Sequence, residues 1–235
     1  ISLLNIDLYK QFLATFYEQH ASAFQQLVSE IAEIDVACSH ARVAIEYNFH
    51  KPTLVSSPTS FITAKDLRHP IIERLSYKAQ YVANDVHLDK SGMLLYGINA
   101  SGKSSLMKSI GLAVIMAQAG MYVSGHITLS PYKHIFTRIA SMDNIWRGLS
   151  TFTVEMLELK NILHRCDHNS LVLGDELCAG TEAVSGIAIV AAGIHELQKK
   201  QASFVFATHL HELLDVDLPP VTVMHLHIDV DNDGN

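Results

Sequence analysis

Apolar residues recur at helical spacing through the first fifty positions. Leu13, Phe16, Phe24, Leu27, Ile31 and Ile34 are separated by Glu18, Gln19, Gln25, Gln26 and Glu30. This period of 3.6 predicts one long helix, with room for a second. The amphipathic pattern starts at once, in Leu3, Leu4, Leu8 and Phe12. Residues 51–60 contain Pro52 and Pro58 among several Ser and Thr residues and predict a linker or loop. From Phe61 onward the pattern changes to short apolar runs. Residues 93–96, 171–173 and 204–207 are strand-length, and each run leads into polar or glycine-rich residues; the first two are then followed by helical patterns. Such alternation predicts an α/β domain with a mainly parallel sheet and a ligand site at the carboxyl ends of its strands. Glycine supports the same division: none occurs in the first 91 residues, and all 12 lie between Gly92 and Gly234. The expected organisation is a helical segment over 1–50 followed by an α/β domain over 51–235. The helix fits equally a lever projecting from the domain and an element packed on it.

Composition narrows the function classes. With 235 residues, 49% of them hydrophobic and 17% charged, the chain can bury one large core with a helical appendage. The most apolar stretch, 110–123, contains Gln118 and is cut by Gly111 and Gly120, so no membrane span is expected. The N-terminal residues lack a basic region and a small-residue cleavage site, so no secretion signal is expected. Cys38, Cys166 and Cys178 form no CxxC pair, which points to an intracellular, reducing compartment and away from a disulfide framework or zinc site. The formal net charge of −7 has the wrong sign for a module that itself wraps a phosphate backbone. Among the 14 histidines, the pairs His209 with His211 and His225 with His227 raise a metal reading. Alternating histidines without a Cys or carboxylate cluster are more often solvated or hydrogen-bonded.

The strongest chemical signal is Gly97, Ile98, Asn99, Ala100, Ser101, Gly102, Lys103, Ser104, Ser105, which fits GxxxxGK[ST] between an expected strand and a helix beginning near Ser104. Glycines allow the loop to curl with its N–H groups toward phosphates, and the helix N-terminus adds its positive dipole end. Lys103 is then the partner of the β and γ phosphates of ATP, and Ser104 a ligand of Mg2+. A hydrolytic site also needs carboxylates, and the run Leu171, Val172, Leu173, Gly174, Asp175, Glu176 supplies them at a strand end. Asp175 is the expected Mg2+ partner, and Glu176 the general base that polarises water. The third run ends in Thr208 and His209, where an imidazole can sense the γ-phosphate or hold the water.

Further motifs are more specific. Residues 137–156 read T-R-I-A-S-M-D-N-I-W-R-G-L-S-T-F-T-V-E-M. Arg68, His69 and Pro70 precede Glu73; Tyr81, Val82 and Ala83 precede Asn84 and Asp85; Ala207, Thr208 and His209 precede Glu212 and Leu213. Together these resemble the ATPase domain of the MutS family of DNA mismatch-repair proteins, through its signature segment, its R-H-P-x-x-E, its aromatic-x-P-N-D and its A-T-H-x-x-E-L elements. Asp35, Val36 and the Ala-rich residues after them resemble the end of the family's lever helices. The resemblance covers roughly residues 30 to 230.

That resemblance implies a P-loop NTPase of the ABC-ATPase type, with ATP and Mg2+ as cofactors and Mg-dependent hydrolysis coupled to the conformation of a clamp on DNA. It implies that Tyr81 stacks on adenine and that Asn99 approaches the phosphates. It also implies that Ser150 reaches in trans to the γ-phosphate bound by a second MutS-like subunit, completing a composite site in a homo- or heterodimer. Ser150 equally suits the N-cap of a helix over 151–165. The chain departs from the family pattern at Ile98 (for proline), Ser105 (for threonine), Gly174 (for a large apolar residue), and Cys178 with Ala179 (for Gly-Arg), which marks a divergent branch and puts any dimer contact of that arginine in doubt. The family's last strands, its helical dimerisation module and its mismatch-reading domain are expected to lie outside this chain, with DNA bound through those missing domains and weak hydrolysis by this segment alone. The alternatives are a MutS relative acting on recombination junctions without reading mismatches, and a nucleotide-gated interaction module with little turnover. An ABC-like ATPase of another group would carry an LSGGQ-type signature, which the sequence lacks.

Overall fold

No proline or glycine interrupts residues 2–46, and α1 (Ser2–Glu46) runs unbroken for 45 residues, about 68 Å at 1.5 Å per residue, with no second helix before Pro52. The structure is a computed structural model that describes residues 2–75, 81–139, 151–178 and 181–227. Two compact units divide the chain, Ile1–Asn48 and Phe49–Asn235. On α1 the rings of Phe12 and Phe16 lie 6.0 Å apart and those of Phe16 and Phe24 6.1 Å, the adjacency expected of residues one and two turns apart.

The described residues of the second unit form two sheets. Its strands are β1 (Thr53–Leu54), β2 (Phe61–Leu67), β3 (Asn84–Leu88), β4 (Met93–Gly97), β5 (His126–Ser130), β6 (His134–Arg138), β7 (Ser170–Asp175), β8 (Ser203–Ala207) and β9 (Thr222–Leu226). Its helices are the single turn α2 (Ile72–Leu75), then α3 (Lys103–Gln118), α4 (Thr151–Arg165) and α5 (Ala183–Lys199), with a 3-10 turn at His211–Asp215. One sheet has the order β6-β7-β8-β4-β9 and is parallel throughout, as the alternation of strand and helix predicts. The other, β1-β5-β2-β3, pairs β2 antiparallel with both neighbours. The alternation in the sequence gives no sign of this second sheet. Part of the expected loop over 51–60 is strand: β1 pairs with β5 for two residues and Val55 N–H continues to Leu129 O at 3.0 Å, a match too short to leave a periodic signal.

Alternate residues of the parallel strands feed two cores. Met93 and Leu95, Leu171 and Leu173, and Val205 and Ala207 join Leu106, Met107, Ile110 and Val114 of α3, together with Ile62, Leu88 and Leu129 of the second sheet. Leu94, Val172, Phe204 and Phe206 turn to the opposite cluster, with Ile162 of α4 and Val190, Ile194 and Leu197 of α5. A strand buried on both faces reads as an apolar run without alternation, which is what residues 93–96 show. Gly174 is explained here: a Cβ on it would lie 2.8 Å from Phe206 and 2.9 Å from Leu177, so the ring of Phe206 occupies the space a larger residue would need.

Candidate functional site

Strand β8 lies between β4 and β7, so their carboxyl ends present three chemically different tips side by side. The β4 tip continues into the phosphate-loop motif. Gly97 leaves the strand with φ +155°, where a Cβ would meet Ser101 Oγ at 2.5 Å and Leu226 O at 2.6 Å. Gly102, the residue before α3, has φ +94° and open space around it; there conformation alone demands glycine. Ala100 takes φ 65° between them, and Ser101 N–H closes the loop on Ile98 O at 3.2 Å. No side chain caps α3, which begins at Lys103, one residue before the expected start.

Lys103 is buried, and its ammonium donates to Gly97 O at 2.7 Å and Ile98 O at 3.1 Å. An ammonium carries three donors, so the group is held over the loop with one hydrogen left for an anion. Ser104 Oγ donates to Asp175 Oδ1 at 3.0 Å, bringing a hydroxyl of α3 to the carboxylate that ends β7. These two hard oxygen donors fit a small divalent cation. Ser101 Oγ is buried without a hydrogen-bond partner, an exception that a bound polar group would resolve. Asn99 and Ser105 flank the same turn, and Ser105 O accepts from Ser109 Oγ at 2.8 Å.

Glu176 follows Asp175 in a left-handed conformation (φ 49°), its N–H bonded to Ala207 O at 2.9 Å. Its Oε1 lies 3.1 Å from His209 Nε2, so the second and third tips meet directly. His209 is aimed by the turn that follows β8: Thr208 N–H bonds Leu95 O at 3.0 Å, and Thr208 Oγ1 accepts from Leu210 N–H at 3.0 Å. Beside His209 a cleft of about 400 Å³ is lined by His211, His225, His227, Gly97, Ile98 and Leu226. Tyr96 stacks on His211 at 5.3 Å and on His225 at 5.5 Å; burial pushes its hydroxyl up to about pKa 12. Among the described residues, no three His, Cys, Asp or Glu side chains are grouped to hold a metal ion.

Tyr81 sits against α3, its hydroxyl 3.2 Å from Ser109 Oγ and its ring 6.5 Å from that of His69. Arg68 and Glu73 form an ion pair, and His69 Nδ1 accepts from Ile71 and Ile72 N–H, both at 3.2 Å. Ser150, with the rest of residues 140–150, lies outside the described residues, as does Ala179. Two features are not legible in the sequence motifs: Ser109, whose signal is only its one-turn spacing from Ser105, and the His211–Tyr96–His225 stack, whose partners come from separate strands and a 3-10 turn.

A curled loop leading into a helix, a serine–carboxylate pair and a carboxylate–imidazole pair at adjacent parallel strand ends define a P-loop ATPase fold. The family profile described as MutS domain V matches residues 93–235, and the chain belongs to the MutS family of DNA mismatch-repair proteins. It is 43% identical over 225 residues to the mitochondrial DNA mismatch repair protein mutS homolog of Sarcophyton glaucum, covering 94% of this chain and 23% of that protein. It is 40% identical to the DNA mismatch repair protein MutS of Petrotoga mobilis, covering 91% of this chain and 26% of the relative. With MutS of Methanococcoides burtonii it shares 36% identity, over 92% of this chain and 25% of the relative. The chain thus spans about a quarter of the length of these relatives. Among the described residues, no helix is long and apolar enough to cross a membrane.

Proposed function

We propose that residues 51–235 bind ATP and hydrolyse its terminal phosphate, and that in the full protein this drives a clamp on DNA through α1 (Ser2–Glu46). The observation that carries this is the Ser104–Asp175 contact at 3.0 Å, which joins the start of the phosphate-loop helix to the strand-end carboxylate. Mg2+ would be held there by Ser104 and Asp175 and would neutralise phosphate charge. Lys103 exchanges carbonyl contacts for the β and γ phosphates, and Gly97, Ile98, Asn99, Ala100, Ser101, Gly102 and Ser105 wrap them. Glu176 takes the proton of the attacking water as general base, and His209 orients that carboxylate across 3.1 Å and faces the γ-phosphate. Tyr81 stacks on the adenine, held by Ser109.

The remaining half of the site comes from a second MutS-like subunit, whose Ser150 enters in trans, so turnover depends on dimerisation. DNA is bound through parts of the full protein other than this chain; the net charge of −7 supports that division. An intracellular, reducing compartment suits the free thiols of Cys38, Cys166 and Cys178. The test is steady-state ATP turnover of the full-length dimer and of its Glu176→Gln variant. A fall of about 10²-fold or more is expected for loss of a general base. Equal rates in the two proteins would remove Glu176 from the chemistry and favour a nucleotide-gated interaction module.

A further inference from the structure

Glu155 is a buried acidic residue on α4 that takes no part in the site described above. Burying a carboxylate is costly unless strong hydrogen bonds compensate it. Its Oε1 accepts the backbone N–H of Cys178 at 2.8 Å, a charge-assisted contact across 23 residues of sequence. Cys178 lies two residues after Glu176 in the turn that follows β7. Both residues are left-handed, with φ 49° at Glu176 and φ 62° at Cys178, and neither is a glycine. Leu177, between them, is buried. Two such conformations so close together persist only where the surroundings over-determine them.

Four contacts do this. At one end Glu176 N–H is tied to Ala207 O at 2.9 Å. At the other, Cys178 O accepts from Thr181 N–H at 3.3 Å, and Gly186 of α5 packs so closely that a Cβ there would lie 3.3 Å from Cys178 Cβ. The Cys178 N–H itself has its partner in the Glu155 carboxylate, and that partner arrives from α4. We infer that Glu155 is a positioning residue for hydrolysis: by clamping Cys178 N–H it holds the Glu176 turn in its left-handed form and keeps the Glu176 carboxylate facing His209. The inference rests on Glu176 being the general base.

Reach and charge can be separated. Glu155→Gln keeps an acceptor oxygen at the same reach and loses the charge. Glu155→Asp keeps the charge and withdraws the oxygen by about 1.5 Å, one C–C bond. The full-length dimer and its Glu155→Gln, Glu155→Asp and Glu176→Gln variants are compared for single-turnover hydrolysis and for the equilibrium Kd of ATP. Glu155→Asp is expected to slow hydrolysis by roughly 10²-fold, the scale of an ångström of misplacement, with an unchanged Kd. Glu155→Gln is expected to stay within about threefold of wild type, well inside that scale. Glu155→Asp at the wild-type rate, or Glu155→Gln slowed as much as Glu155→Asp, overturns the positioning role while a slow Glu176→Gln leaves the base intact. A parallel loss of ATP affinity in Glu155→Asp also overturns it, because general structural damage then accounts for the rate. Wild-type hydrolysis by Glu176→Gln overturns both assignments.

Discussion

Ser104 Oγ and Asp175 Oδ1 are 3.0 Å apart although 71 residues separate them in sequence, and the contact joins the first turn of α3 to the last residue of β7. Asp175 is buried there, so its oxygen needs this donor or a cation. Ser104→Ala and Asp175→Asn in the full-length protein are each expected to weaken the Mg2+ dependence of ATP turnover and to lower kcat by about 10²-fold or more, as loss of a preorganised charge-stabilising group does. Titrating Mg2+ against turnover, with EDTA as the zero point, checks this. An unaltered Mg2+ midpoint in both variants contradicts the assignment.

His209 contacts Glu176 at 3.1 Å from the neighbouring strand end. His209→Ala is expected to lower kcat by a larger factor than it raises the Kd of ATP, because orienting Glu176 acts on the chemical step more than on ground-state binding. Stopped-flow hydrolysis and equilibrium binding on the same preparation separate the two quantities.

His69 offers a pH signature. Burial, and secondarily Lys108, lower its pKa below the usual 6.5, and its Nδ1 accepts two backbone N–H groups only when unprotonated. Between the folded and unfolded values the unfolded chain binds the proton more readily. The stability that His69 contributes is therefore complete above about pH 6.5 and is lost as pH falls from there toward the folded value. His69→Asn places an oxygen acceptor at a similar reach without titrating. The difference in melting temperature between wild type and His69→Asn is expected to shift in favour of the variant on acidification through this range; a pH-independent difference contradicts the account.

The cysteines differ in reactivity. Burial, followed by the charge of Glu155, pushes the Cys178 thiol up to about pKa 11, and burial raises Cys166 also, whereas Cys38 is exposed on α1. Thiolate is the reactive form, so iodoacetamide at neutral pH is expected to label Cys38 first and the other two only after unfolding. Peptide mass mapping of the time course reads this directly.

Gly174 has no room for a side chain, since its Cβ would lie 2.8 Å from Phe206. Gly174→Val is expected to destabilise the domain by about 1–3 kcal/mol, the usual cost of overpacking. Denaturant unfolding at constant m-value measures it.

Much of the candidate site is legible in residue order because the motifs that build it are local. Gly97 to Ser105 carry their own turn, and Asp175 with Glu176, and Thr208 with His209, each end an apolar run long enough to mark a strand. What stayed hidden depends on distant pairing. The second sheet joins β2 to β3 and β5, strands with mixed burial and a register break between Ala64 and Leu67 that blurs a period of two. Glu155 is visible as a letter of the signature segment, but its bond to a backbone N–H across 23 residues leaves no trace in composition or spacing. The tight space at Gly174 is seen only when the Phe206 ring lies against it.

The most direct measurement is a crystal structure of the full-length Glu176→Gln protein with Mg2+ and ATP. Lys103 is expected to leave the Gly97 and Ile98 carbonyls for the β and γ phosphates, with Ser104, Asp175 and His209 gathered about the same triphosphate. A nucleotide bound elsewhere, or one with Asp175 and His209 both turned away from it, would contradict the central claim that these strand ends form one ATP site.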